Sequence, residues 1–146
     1  FTHQIPHSTS IAFLNNVLTD EIHSNTPSLD SRCTKAQIFF GRKSHVIHVE
    51  EMTRSKRLLQ CLQNPMTKCG APNRIVADHA GHHESFQVLS HLRMLWIRLW
   101  FSEACCHNQN SFERKWQTFK RLVNGLMDGT NTPPHLWFSC MACMCF

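Results

Sequence analysis

The 146-residue chain carries 15 Lys and Arg against 10 Asp and Glu, a formal net charge of +5. That length suits one domain able to bury a core without metal or disulfide staples. No apolar run approaches the ~20 residues that a membrane span needs, since the longest, Met94 to Phe101, is broken by Arg98.

The chain holds 11 His, 8 Cys and 4 Trp but no Tyr. Gly, Ala, Val, Asp and Glu, all encoded by codons that begin with G, make up about a fifth of it, against roughly a third in ordinary domains. Folding physics asks for no such shortage, which points to a young, orphan-type reading frame without an evolved specific activity. A first residue of Phe rather than Met is read as a processed chain or a fragment, with an intracellular location the default and secretion the alternative.

In chain order, Ile11, Leu14, Leu18 and Ile22 recur at helical spacing after Ser8-Thr9-Ser10, which predicts an N-terminal helix. Asp20 and Glu21 would then sit at its end, where the macrodipole disfavours anions. Ser24 to Ser31, with Pro27, reads as a polar loop. Ala36 to Phe40 and His45 to Val49 are β-prone and flank Gly41-Arg42-Lys43-Ser44, so a hairpin is expected. Met52, Leu58, Leu59 and Leu62 fit a short helix that Asn64-Pro65 should stop. Residues 64–73 then read as a linker or long loop.

Phe86, Leu89, Leu92, Trp96, Leu99 and Trp100 form one broad apolar stripe, read as a single helix. Phe112, Trp116, Phe119, Leu122, Val123, Leu126 and Met127 form a second, closed by Gly129 and Pro133-Pro134. Its stripe should be buried, with Arg114, Lys120 and Arg121 in water. The expected fold is mainly α (α+β): a single small domain over residues 1–146 with one β-hairpin and a C-terminal antiparallel helical pair. Residues 1–10 and 130–146 are expected to be less ordered tails.

Charge is concentrated in the middle. Residues 32–76 hold nine bases against two acids, a net of +7. Arg42, Lys43, Arg54, Lys56 and Arg57 are the candidates for binding an anionic partner, either nucleic acid or an acidic membrane surface, and Phe39 and Phe40 could stack on bases. The leading functional expectation is therefore a non-enzymatic binding protein that uses this segment. The chain contains no GxSxG, Walker loop, GxGxxG or HExxH, so no catalytic residue is assigned and the chain is expected not to be an enzyme.

Zinc is the cofactor worth weighing. It needs four soft or borderline ligands held tetrahedrally, and the candidates are Cys140 and Cys143 with His79 and His82. One CxxC without a matching second pair competes with two other uses of the cysteines, as free thiols acting as small hydrophobes and as the bridges of a secreted, disulfide-stapled protein. Cys143-Met144-Cys145-Phe146 also has the outline of a C-terminal prenylation box.

Overall fold

The computed structural model describes residues 16–53, 58–77, 85–101 and 107–145. Ten elements follow one another among the described residues. Strands β1 (Asn16–His23), β2 (Lys35–Gly41) and β3 (Ile47–Glu51) come first, followed by helix α1 (Leu58–Cys69) and strand β4 (Arg74–Ala77). Helix α2 (Phe86–Met94), strand β5 (Arg98–Phe101) and the long helix α3 (His107–Gly129) come next, and a 3-10 turn (Pro134–Leu136) leads into α4 (Trp137–Cys143). The strands form one mixed sheet in the order β3-β2-β1-β4-β5. The β1-β2 and β2-β3 pairs are antiparallel, while β1-β4 and β4-β5 are parallel.

This architecture replaces the expected mainly helical domain. The hairpin is present as β2 and β3, but it is part of a five-stranded sheet. The N-terminal helix is in fact β1. Its supporting residues Leu18 and Ile22 are four apart, and four is an even number, so they also share one face of a strand. Val17, Thr19 and Ile22 are β-branched and favour the extended form. Burial of Val17, Leu18 and Thr19 in succession shows both faces of β1 covered, so no alternation marks it.

Two further boundaries moved. Asn64-Pro65 does not end α1, whose buried side comprises Leu58, Cys61, Leu62 and Pro65. The stop is Gly70, at φ 85°, whose N–H reaches the Met66 carbonyl at 3.0 Å; a glycine accepts that left-handed geometry without a Cβ clash. The stripe from Phe86 to Trp100 is likewise two elements. Trp96 takes a left-handed φ of 57°, and the Ile97 N–H closes back on the Leu92 carbonyl at 2.9 Å. The chain then turns into β5, so α2 and α3 do not make the expected helical pair.

The sheet lies between two apolar layers. On one face Val17, Phe39 and Ile75 pack with Leu58 and Leu62 of α1 and Val88 and Leu92 of α2. On the other, Leu18, Ile22, Ile38, Phe40 and Val49 pack with Phe119 and Val123 of α3 and Trp137 and Met141 of α4. Phe40 is central to this second layer. Its ring meets Phe112 edge-on at 5.3 Å and Phe119 at 6.2 Å. The α3 stripe is thus core as expected at Phe119 and Val123, with Phe112, Trp116, Leu126 and Met127 partly buried. Leu122 departs from the expectation and is 52% exposed. Arg114, Lys120 and Arg121 face water.

Candidate functional site at the ends of β1 and β4

The two central strands β1 and β4 run parallel, and the chain leaves them in opposite directions. β1 leads into β2 on one side; β4 leads through α2 into β5 on the other. Open α/β sheets form their ligand crevice at such a switch point, at the carboxyl ends of the strands.

Asp20 stands near that end of β1, opposite Ile38 of β2. Its parity places it with Leu18 and Ile22 on the face covered by α3 and α4. A half-buried carboxylate therefore stands between Leu18 and Ile22 on that face. Its Oδ1 accepts the Glu21 N–H at 2.8 Å. Glu21 points to the opposite face, where its Oε1 takes Lys35 Nζ at 2.6 Å and His23 Nε2 at 3.3 Å. The adjacent acids thus lie on opposite faces of the sheet, Glu21 beside Lys35 and Asp20 on the side of the long helix.

Helix α3 lies on this face of the sheet. Lys115 Nζ lies 3.5 Å and 3.4 Å from the carbonyls of Gly41 and Arg42, which fixes one flank of α3 above the hairpin. Glu113 precedes it by two residues, about 200° around the helix at 3.6 residues per turn, so it projects from the other flank, away from the hairpin. Glu113 is exposed and accepts Gln117 Nε2 at 3.4 Å. The parallel register sets Leu18 beside Val76. Asp78 is the next residue in sequence after Ala77 and lies outside the described residues.

Next to β4, the outer strand leaves an open patch on the α3 side. Trp100 sits beside Val76 and is 57% exposed. The Arg74 guanidinium stacks 5.2 Å from the Trp100 ring, and Arg98 is exposed on the same face. This combination of two arginines and an aromatic plane is suited to phosphate and to stacked bases.

The residues singled out from sequence fall elsewhere. Arg42 and Lys43 are exposed in the β2-β3 turn. Arg54, Lys56 and Arg57 lie outside the described residues, as do His79 and His82. Cys140 and Cys143 are one turn apart on α4, the first buried and the second exposed. Among the described residues no three His, Cys, Asp or Glu side chains converge on a metal-sized site, and the six described cysteines are free thiols. Sequence reasoning missed Asp20, although a signal was there, since an anion at the predicted end of a helix argued against that helix.

No family model matches the chain, and no curated protein does. Solved structures do. The catalytic core domain of BIV integrase aligns with a TM-score of 0.68 at 11% identity, over 87% of this chain and 80% of that one. The fold is integrase-catalytic-core-like. The HTLV-2 integrase catalytic core domain in complex with magnesium aligns at 0.65 and 13% identity, over 90% of this chain and 82% of the other. A chain of the simian T-cell lymphotropic virus intasome, solved in complex with PP2A regulatory subunit B56 gamma, aligns at 0.70 and 15% identity. That alignment covers 96% of this chain and 52% of the intasome chain, so this chain spans about half of its length. At these identities the likeness is one of fold. It nevertheless overturns the expectation of a non-enzyme, which rested only on the lack of a familiar motif, because the BIV and HTLV-2 structures are catalytic core domains.

Proposed function

We propose that the chain is the core of a divalent-cation-dependent enzyme that acts on the phosphodiester backbone of DNA, with its site at the carboxyl ends of β1 and β4. The observation that carries this reading is Asp20, a carboxylate on the central strand, between Leu18 and Ile22 on the face covered by α3. A carboxylate held there by the strand offers hard oxygen ligands at a fixed place beside the switch point.

The donor chemistry fits magnesium, which takes hard oxygen ligands and is commonly held by one or two carboxylates plus substrate phosphates. Asp20 from the sheet and Glu113 from the flank of α3 away from the hairpin would supply those carboxylates. A bound divalent cation would polarise a phosphoryl oxygen and lower the pKa of an attacking water. The protein's own groups do the remaining work. Strand β1 fixes Asp20 in the middle of a hydrogen-bonded sheet, so little reorganisation accompanies substrate binding. On the same face of the sheet, toward the amino ends of β4 and β5, Arg74 and Arg98 offer phosphate donors to a strand that runs on from the crevice, and Trp100 offers a plane for an unstacked base. The anionic partner expected from the charge pattern is then the substrate strand.

The test is cleavage or strand joining of a labelled DNA duplex with magnesium or manganese. Activity should vanish with chelator and fall at least about 100-fold in Asp20→Asn, with far-UV circular dichroism unchanged. Activity that persists in Asp20→Asn, or that ignores chelator, refutes the reading.

A further inference from the structure

On the far flank of α3 from Glu113 lies a groove of about 320 Å³ between that helix, the hairpin and the end of α4. It is at the lower end of the size range of small-ligand pockets, roughly 300–1,000 Å³. Its walls are apolar: Phe40 and Phe119 form the floor, and Ile47, Leu122 and Met144 the sides. Leu122, the one residue of the α3 stripe that does not reach the core, is half-exposed because it lines this groove.

The rim has the opposite character. Arg114 and Lys115 of α3 and His45 of the hairpin line the groove, and Arg42 adjoins Lys115 through its own carbonyl. No carboxylate lines the groove, and no described carboxylate pairs with Lys115. The contacts of Lys115 to the Gly41 and Arg42 carbonyls, at 3.5 and 3.4 Å, are long for hydrogen bonds. Burial, with the neighbouring Arg42 charge second, holds the Lys115 pKa below the usual lysine value. The ammonium is thus partly desolvated and under-compensated, with donors to spare. His45 takes a left-handed φ of 59° in the turn beside the groove, a conformation histidine adopts more readily than most side chains.

From these juxtaposed features we infer that the groove binds a small anionic amphiphile of fatty-acid type, its apolar chain on Phe40, Phe119 and Leu122 and its carboxylate on Lys115 and Arg114. A nucleic-acid strand does not fit this description, because its backbone would meet an apolar floor. A neutral apolar molecule would leave the cations unpaired. The inference is independent of the proposed reaction: the groove is on the opposite flank of α3 from Glu113 and shares none of the residues assigned to catalysis.

Calorimetric titration of the full chain with decanoate, below its micelle concentration, tests it. Saturable one-site binding is expected, at least about tenfold weaker for decanol, as fits the loss of one charge-assisted contact, and undetectable for acetate. Lys115→Gln, at a half-buried position, and Arg114→Gln, at an exposed one, should each weaken decanoate about tenfold, and Leu122→Asn should weaken decanoate and decanol alike. Equal decanoate affinity in Lys115→Gln and the parent chain, or no saturable binding, would overturn the inference. So would binding confined to vesicles of anionic phospholipid, which would mark a membrane-facing surface instead. Loss of DNA processing in Asp20→Asn has no bearing on these titrations.

Discussion

Replacing Phe119 with Ala should be among the most damaging single changes in the described core. The ring is 2% exposed and lies in the layer between α3 and the sheet. It meets Phe40 edge-on at 6.2 Å and Trp116 at a tilt, also at 6.2 Å. Truncation removes about 1.5–3 kcal/mol of burial, loses aromatic pairing of about 0.5–1.5 kcal/mol and leaves a cavity that the sheet, pinned by its ladders, cannot close. The expected cost is about 3–5 kcal/mol, a large share of the roughly 5–15 kcal/mol total stability of a domain. The melting temperature should fall by roughly 10 °C. Leu122→Ala, on the same helix three residues along, is the control: a half-exposed side chain should cost under about 1 kcal/mol. Urea unfolding followed by tryptophan fluorescence measures both, with Trp116 as a nearby reporter. Equal costs at the two positions would refute the assignment of the buried face.

Glu50 gives a pH prediction. Burial raises its pKa, but hydrogen bonds from His48 and Asn64, with the charges of His48 and Lys68, outweigh this and hold it below its ordinary 4.5. A carboxylate depressed in the folded state contributes stability that is present above the unfolded pKa and lost as pH falls through the folded one. Urea midpoints should therefore drop below about pH 4.5, and Glu50→Gln should flatten part of that drop. Burial likewise pushes the Cys145 thiol up to about 11, so alkylation at pH 8, followed by mass spectrometry, should modify exposed Cys143 well before Cys145. Arg98→Ala should weaken DNA binding and reduce its salt dependence by about one unit of log–log slope, read by fluorescence anisotropy across a salt series; an unchanged slope would remove Arg98 from the substrate path.

Some elements were legible because their information is local. The β2-β3 hairpin could be read from two β-prone runs around Gly41-Arg42-Lys43-Ser44, and α3 from an apolar stripe long enough to show the helical period. The arginines and lysine on the outer face of α3 followed from the same geometry. Strands β4 and β5 were not legible. Each has four residues, too few to show a period, and each exists because a parallel neighbour distant in sequence supplies its hydrogen bonds. For β1, the even spacing of Leu18 and Ile22 satisfies a helix and a strand equally. Only pairing with β2 and β4 selects the strand, and that choice turns Asp20 from an ill-placed helix-end anion into a carboxylate at the centre of the sheet. The sequence by itself determined which side chains are apolar, where the hairpin turns and which face of α3 is buried. The tertiary structure decided the sheet order, the crevice between β1 and β4 and the groove beside Lys115, because each depends on contacts between segments that no local pattern links.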